Sequence, residues 1–302
     1  MEQIIEFITG PLAYPFMVRG LIAAVLVGVV CAVVGTFVVL RGMAFFGDAL
    51  SHAILPGLAV GYLYGGGTTD ALFWWGLLTA ILTSIGIGVI SESGEIKEDT
   101  AIGIVFAGMF ALGIAMISTV RSYAVDLAHI LFGNVLGVSV SGLWLITIFG
   151  GAVILIILLL YKELVVISFD PVLGATLRLR TTLLHNLLMI LIATTIVVSL
   201  QTVGVALMLA MLITPAASAY LLTRRLPTMM ALAALIGALS GVVGLYLSYY
   251  GGIASGAAIV LVCTALFLLA FLFAPGRGWL WGMSWEKLRH AALRSFPTAS
   301  RQ

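Results

Sequence analysis

Arg41-Gly-Met-Ala-Phe-Phe-Gly-Asp48-Ala-Leu-Ser-His52-Ala-Ile-Leu-Pro56-Gly57 is the stretch on which the reading of this chain turns. Apolar sequence flanks it, and its own apolar run continues to about Tyr64. Asp48 and His52 are four residues apart, so on a helix they share one face. Ionisable side chains are costly at membrane depth. Where they occur there, they face a bundle interior or a polar path, which makes this pair the first candidate functional site.

The rest of the sequence places that stretch in a membrane. The 302 residues are 62% hydrophobic and 9% charged, with a mean hydropathy of +1.23. No soluble core needs so much apolar surface, and the expected class is an all-α polytopic membrane protein. Cys31 and Cys263 both sit in apolar runs and read as small buried hydrophobes, not as a disulfide or a metal pair. Residues 1–16 carry Glu2 and Glu6 and no basic residue, which argues against a cleaved signal peptide. The phosphate-binding G-x-x-x-x-G-K-[ST] pattern is absent, as are H-E-x-x-H and G-x-S-x-G. Nothing points to nucleic acid.

Outward from the central stretch, eight or nine spans are expected. The first covers about Met17–Leu40 and ends at Arg41. The second, about Met43–Gly65, carries Asp48 and His52. Others follow at about Ala71–Ser91, Ala101–Val120, Gly142–Tyr161, Thr182–Leu200, Val205–Leu222, Met229–Ser248 and Ile253–Phe273. Residues 121–140 are less regular and read as an interfacial or re-entrant segment. With nine crossings and the N-terminus outside, Arg41, Lys97, Lys162, Arg178, Arg180, Arg224, Arg225 and a basic tail fall in the cytoplasm. Arg19 and Arg121 fall outside. Twelve of the fourteen lysines and arginines are then inside, a strong positive-inside bias. Residues 1–275 form the expected transmembrane domain and 276–302 a cytoplasmic basic tail.

Counted from Arg41, His52 lies eleven residues on, roughly 16 Å along a helix at 1.5 Å per residue. That is near the middle of a hydrocarbon core about 30 Å thick. Pro56 and Gly57 on the next turn loosen the helix and free carbonyl groups. A carboxylate oxygen and an imidazole nitrogen at this spacing suit one divalent cation such as Mn²⁺, Fe²⁺ or Zn²⁺. The bland alternative is a hydrogen-bonded Asp–His tie between helices. Asp126 and His129 read first as a solvated surface pair, with cation gathering at an entrance as the other reading. Thr214-Pro215 reads as a kink or break lining a pathway. His185 reads as interfacial, and Glu92, Glu95, Glu98 and Asp99 as solvated loop charges. Gly237 and Gly241 form a G-x-x-x-G, read as ordinary helix packing. Asp170-Pro171 reads as the cap and first turn of a short helix in a polar loop.

Several of these segments together resemble the manganese/zinc/iron ABC permeases. They are the Leu40–Gly57 stretch, Glu98-Asp-Thr-Ala-Ile-Gly-Ile-Val-Phe106, Leu131-Phe-Gly-Asn-Val-Leu-Gly-Val-Ser139, Phe169-Asp-Pro171, Gln201–Tyr220 and Ala254–Leu261. The resemblance covers about residues 15–275, in order, and its wording is closer to the manganese/iron branch than to the zinc branch.

That resemblance implies the metal-chelate ABC importer permease fold in a prokaryotic plasma membrane. It implies a second permease copy, ATP-binding subunits in the cytoplasm that carry the ATP, and an extracellular or periplasmic metal-binding protein. Asp48 and His52 match the positions expected to meet the metal. Phe169, Asp170, Pro171 and Gly174 match the loop expected to dock on the ATPase. Pro56, Thr214, Pro215, Asp126 and His129 are the remaining pathway candidates. The expected cargo is manganese, then iron or zinc, with no resident cofactor and no covalent chemistry on this chain. An ion-coupled secondary metal transporter using the same Asp/His pair is the rival from another class. An intramembrane metalloenzyme would need a third ligand and a base.

Overall fold

The computed structural model describes residues 6, 9–66, 68–92, 96–118 and 135–274. Among the described residues, nine helices or helix pairs are long and apolar enough to cross a membrane, at the expected places. In chain order the helices are α1 (Pro15–Arg41), α2 (Ala44–Ala53), α3 (Leu55–Gly65), α4 (Thr69–Glu92), α5 (Glu98–Ile117), α6 (Val140–Leu145), α7 (Gly151–Leu159), α8 (Tyr161–Phe169), α9 (Pro171–Thr176), α10 (Thr181–Val203), α11 (Val205–Leu222), α12 (Leu226–Gly251) and α13 (Ser255–Phe273). A π turn over Ile146–Gly150 joins α6 to α7, and α2 with α3 make one broken span.

Turn chemistry fixes where the chain reverses. Gly42 ends α1 in the left-handed region at φ 72°, and the amides of Gly42 and Met43 bond back to the carbonyls of Val39 and Val38. A Cβ is strained at that φ, so glycine is the residue that lets α1 stop there. Gly204 alone separates α10 from α11, at φ 85°.

The helices fall into two packed groups. α2, α3, α4 and α5 pack on one another, and α1, α11, α12 and α13 pack on one another. α10 lies between them and touches α1, α2, α4 and α11. α1 and the α2–α3 span are the most enclosed of the described spans. In α5, the α6–α7 span and α13 most residues are less than fully buried. Buried hydroxyls bond to carbonyls one turn back, as Thr195 does to Leu191 at 2.9 Å and Ser240 to Ile236 at 2.7 Å. With no water in a bilayer core, that is how a polar side chain is satisfied there.

Small residues set the closest approach. A Cβ on Gly28 would stand 2.7 Å from the carbonyl oxygen of Gly237, and one on Gly237 would stand 2.5 Å from that of Gly28. Gly241 faces Ala24, and Gly244 faces Ile259. The G-x-x-x-G of α12 therefore serves packing inside the chain, against α1. Gly237→Val is expected to force these helices apart, at about 1–3 kcal/mol for overpacking. The check is a lowered midpoint in thermal unfolding of the detergent-solubilised protein; an unchanged midpoint would show that the contact relaxes freely.

The structure corrects two expectations here. α11 passes through Pro215 unbroken. The proline removes one amide, but Met211 and Leu212 are fully buried beside it, and the Ser218 hydroxyl donates to the Thr214 carbonyl at 2.7 Å. Packing thus holds the helix through the defect. Glu98 is no loop charge: it opens α5 and is partly buried. His185, expected at the interface, sits in the first turns of α10, partly buried with its side chain 12% exposed. His185 turns inward to Arg41 at the end of α1, and Glu98 lies on the other side of its ring.

Candidate functional site

α2 presents Asp48 and His52 on one face, with His52 Nε2 3.8 Å from Asp48 Oδ1. The His52 side chain is 30% exposed and that of Asp48 45%, so both are reachable from outside the core of this chain. Two metal bonds of about 2.1 Å span at most about 4.2 Å, so both atoms can reach one ion. Among the described residues no group of three His, Cys, Asp or Glu side chains converges. The described residues therefore offer two side-chain ligands here.

The neighbourhood of the pair is built by close backbone contacts. A Cβ on Gly47 would meet Leu212 and Leu209 of α11 at 3.0 and 3.2 Å. On the other side, Gly57 lies against Thr79 and Trp75 of α4, and Gly113 of α5 against Leu55 and Pro56. The break between α2 and α3 falls at Ile54. Pro56, second in α3, has no amide to give to the carbonyl of His52, and that carbonyl takes the amide of Ile54 instead. The loosened carbonyl is therefore His52's own. Because Gly42 and Met43 form the turn, His52 is only eight residues into its helix. It lies about 12 Å from the start of α2 rather than the expected 16 Å.

Sequence reasoning missed the aromatic wall over the imidazole. The rings of Phe106 and Phe110 on α5 lie 6.4 and 5.8 Å from that of His52, and Phe45 meets Phe106 edge-on at 5.9 Å. The signal was present: Phe106 and Phe110 repeat at a spacing of four, the same as Asp48 and His52.

Two polar regions lie on either side of the pair. At the bundle end where α4 begins and α10 finishes, a cavity of about 480 Å³ is lined by Asp70, Ser139, Gln201 and Thr202, and by Ile54 at the helix break. Gln201 donates to the Thr69 carbonyl at 3.2 Å, while its Oε1 has no partner. At the opposite end Arg41, His185 and Glu98 converge. Arg41 Nη2 is 2.8 Å from His185 Nδ1, and His185 Nε2 is 3.7 Å from Glu98 Oε1.

α9 projects beside the start of α10. Asp170 caps it, its Oδ1 accepting from the Leu173 amide at 2.9 Å, and Pro171 occupies the first turn, as expected. The helix ends in a six-to-one, five-to-two bond pair: the Leu179 amide to the Gly174 carbonyl, and the Arg178 amide to that of Ala175. Arg178 holds the left-handed position at φ 59°, where glycine is usual. Gly174 is buried against Thr181, whereas Phe169, Val172, Leu173 and Leu177 are exposed. Thr214 and Pro215 lie on α11 one turn beyond Leu212, which packs on Gly47. Asp126 and His129 lie outside the described residues.

Residues 13–274 match the ABC 3 transport family. The chain belongs to that family. Its relatives include the manganese transport system membrane protein MntC of Halalkalibacterium halodurans, 47% identical over 92% of this chain and 94% of that protein. The MntC of Listeria monocytogenes is 49% identical over 93% and 98%. Among solved structures, PsaBC from Streptococcus pneumoniae in complex with Fab superposes with a TM-score of 0.78 at 39% identity, covering 95% of this chain and 99% of that one. The ABC 3 transport assignment covers α1 to α13, so the helix pair that carries Asp48 and His52 and the projecting α9 are both parts of a permease subunit.

Proposed function

We propose that this permease imports manganese, ahead of iron or zinc, as the membrane subunit of an ATP-driven importer, and that Asp48 and His52 hold the ion in transit. The observation that carries the reading is the accessible Asp48–His52 pair beside a helix break, in a chain whose relatives are named for manganese transport. A carboxylate and an imidazole without thiolate suit a borderline-hard ion that must also be released. The other coordination positions fall to water and to a second permease copy.

The charge bias supports an N-terminus outside and a C-terminal tail in the cytoplasm. Metal delivered by an external binding protein then enters from the side of the Asp70/Gln201 cavity and leaves past the Arg41 end. Pro56 supplies the give in the broken span, and Thr214 and Pro215 lie on the neighbouring helix. Phe169, Asp170, Pro171 and Gly174 form the contact with cytoplasmic ATPase subunits, which carry the ATP chemistry. The permease itself moves the ion and performs no covalent step.

The test is uptake of radioactive manganese into proteoliposomes holding the complete importer, with metal-loaded binding protein outside. Uptake is expected only with ATP and the ATPase subunits present, and unlabelled Mn²⁺ is expected to compete better than Fe²⁺ or Zn²⁺. Uptake by the permease without any ATPase would replace this reading with an ion-coupled secondary transporter.

A further inference from the structure

Glu98, His185 and Arg41 tie three helices together at one end of the bundle, yet the tie is unfinished. Arg41 has only donors, so its 2.8 Å contact makes His185 Nδ1 the acceptor. In a neutral imidazole the proton is then on Nε2, which points at Glu98 Oε1. At 3.7 Å that last link is longer than a hydrogen bond. His185 Nε2, Glu98 Oε1 and Arg41 Nη1 are all buried without a partner, as is Oδ1 of the adjacent Asn186. Such orphaned groups are costly, and a small movement that pairs them is correspondingly favoured. Closing the gap needs about 1 Å of approach between the first turn of α5 and α10.

The position of the gap gives it mechanical meaning. α9 packs on α10 through Gly174 and Thr181, and His185 is one turn beyond Thr181 on the same helix. Arg41 anchors that turn to the end of α1. Glu98 starts α5, and Phe106 and Phe110, two and three turns on, cover the ring of His52. α5 packs chiefly on α2, α3 and α4, so Glu98 is its polar reach towards α10.

We propose that Arg41, His185 and Glu98 form a two-position latch that links movement of α9 to the aromatic cover over the metal pair. In the open position His185 bonds Arg41 alone. In the closed position Nε2–H donates to Glu98, the N-terminal turn of α5 is drawn to α10, and Phe106 and Phe110 move with α5 relative to His52. The three are positioning residues: they touch no cargo and act through α5. The latch rests on the importer reading above, and it identifies a physical element whose equilibrium both ends of the path bias.

The experiment compares metal moved per ATP hydrolysed in proteoliposomes of the complete importer. Glu98→Gln keeps the shape and removes the charge; His185→Phe keeps the bulk and removes both nitrogens. Each is expected to lower the transport-to-hydrolysis ratio at least fivefold, while manganese binding by the solubilised complex stays within twofold of wild type. Arg41→Glu combined with Glu98→Arg should restore much of the ratio, because the imidazole can serve the reversed pair by moving its proton to Nδ1. An unchanged ratio in both single variants overturns the latch. So does loss of assembly in both, which would make the triad a static tie. Wild-type importer with no ATP-dependent uptake would instead sink the importer reading itself, so the two failures are distinguishable.

Discussion

His52→Ala and Asp48→Ala are each expected to lower manganese uptake by the complete importer more than about 100-fold, with the complex still assembled. The size follows from the ligand count. Loss of a group that merely supports a metal ligand costs about 10–100-fold. These two are direct ligands in the proposed path, and the described residues add no third side chain near them. Removing either leaves a single contact, with no chelation. Stability should suffer far less. Both side chains are partly exposed, and alanine is the best helix former, so α2 keeps its backbone. Asp48→Asn separates charge from shape: it retains an oxygen ligand and should fall between wild type and Asp48→Ala. Wild-type uptake by both alanine variants would reduce the pair to a packing tie and direct attention to the Asp70/Gln201 cavity.

How much of this was legible in the sequence depends on how local its cause is. The spans were readable because each apolar run is long enough to cross a bilayer and its end carries a local signal: Arg41-Gly42, the glycines after Tyr64, Gly204, and Arg224-Arg225. The break at Ile54 follows from Pro56, and the cap of α9 from Asp170-Pro171. Three features rest on contacts between distant residues and left no such trace. Pro215 reads as a break, but burial against neighbouring helices keeps α11 continuous. Glu98 reads as a loop charge, and the contact of His185 with Arg41 goes unread, because nothing within ten residues of either reveals Arg41. The left-handed Arg178 carries none of the glycine or asparagine that usually marks that position. The candidate pair itself was legible through spacing and cost; its aromatic wall was visible only as an unassigned repeat.

The second large effect concerns α9. Val172→Asp together with Leu177→Asp is expected to strip the ATPase subunits from the permease during co-purification and to lower ATP-driven uptake at least tenfold. Val172 is 74% exposed and Leu177 57%, on either side of a capped six-residue helix that stands off the bundle. Exposed apolar side chains on so short and well-fixed an element form a surface that a partner would cover, and interface cores exclude charge. An aspartate at each place would have to be desolvated without a partner when the ATPase docks. The same substitutions should leave the isolated permease within about 0.5 kcal/mol of wild type, because they touch surface positions only. Asp170→Ala tests the helix rather than its surface. It removes the bond to the Leu173 amide, worth about 1 kcal/mol, and so thins the docked population by about fivefold without abolishing it. Full recovery of the ATPase with the doubly charged variant would show that α9 is not the docking element. The latch at Glu98 would then have no input through Gly174 and Thr181, and its uncoupling phenotype should vanish with it.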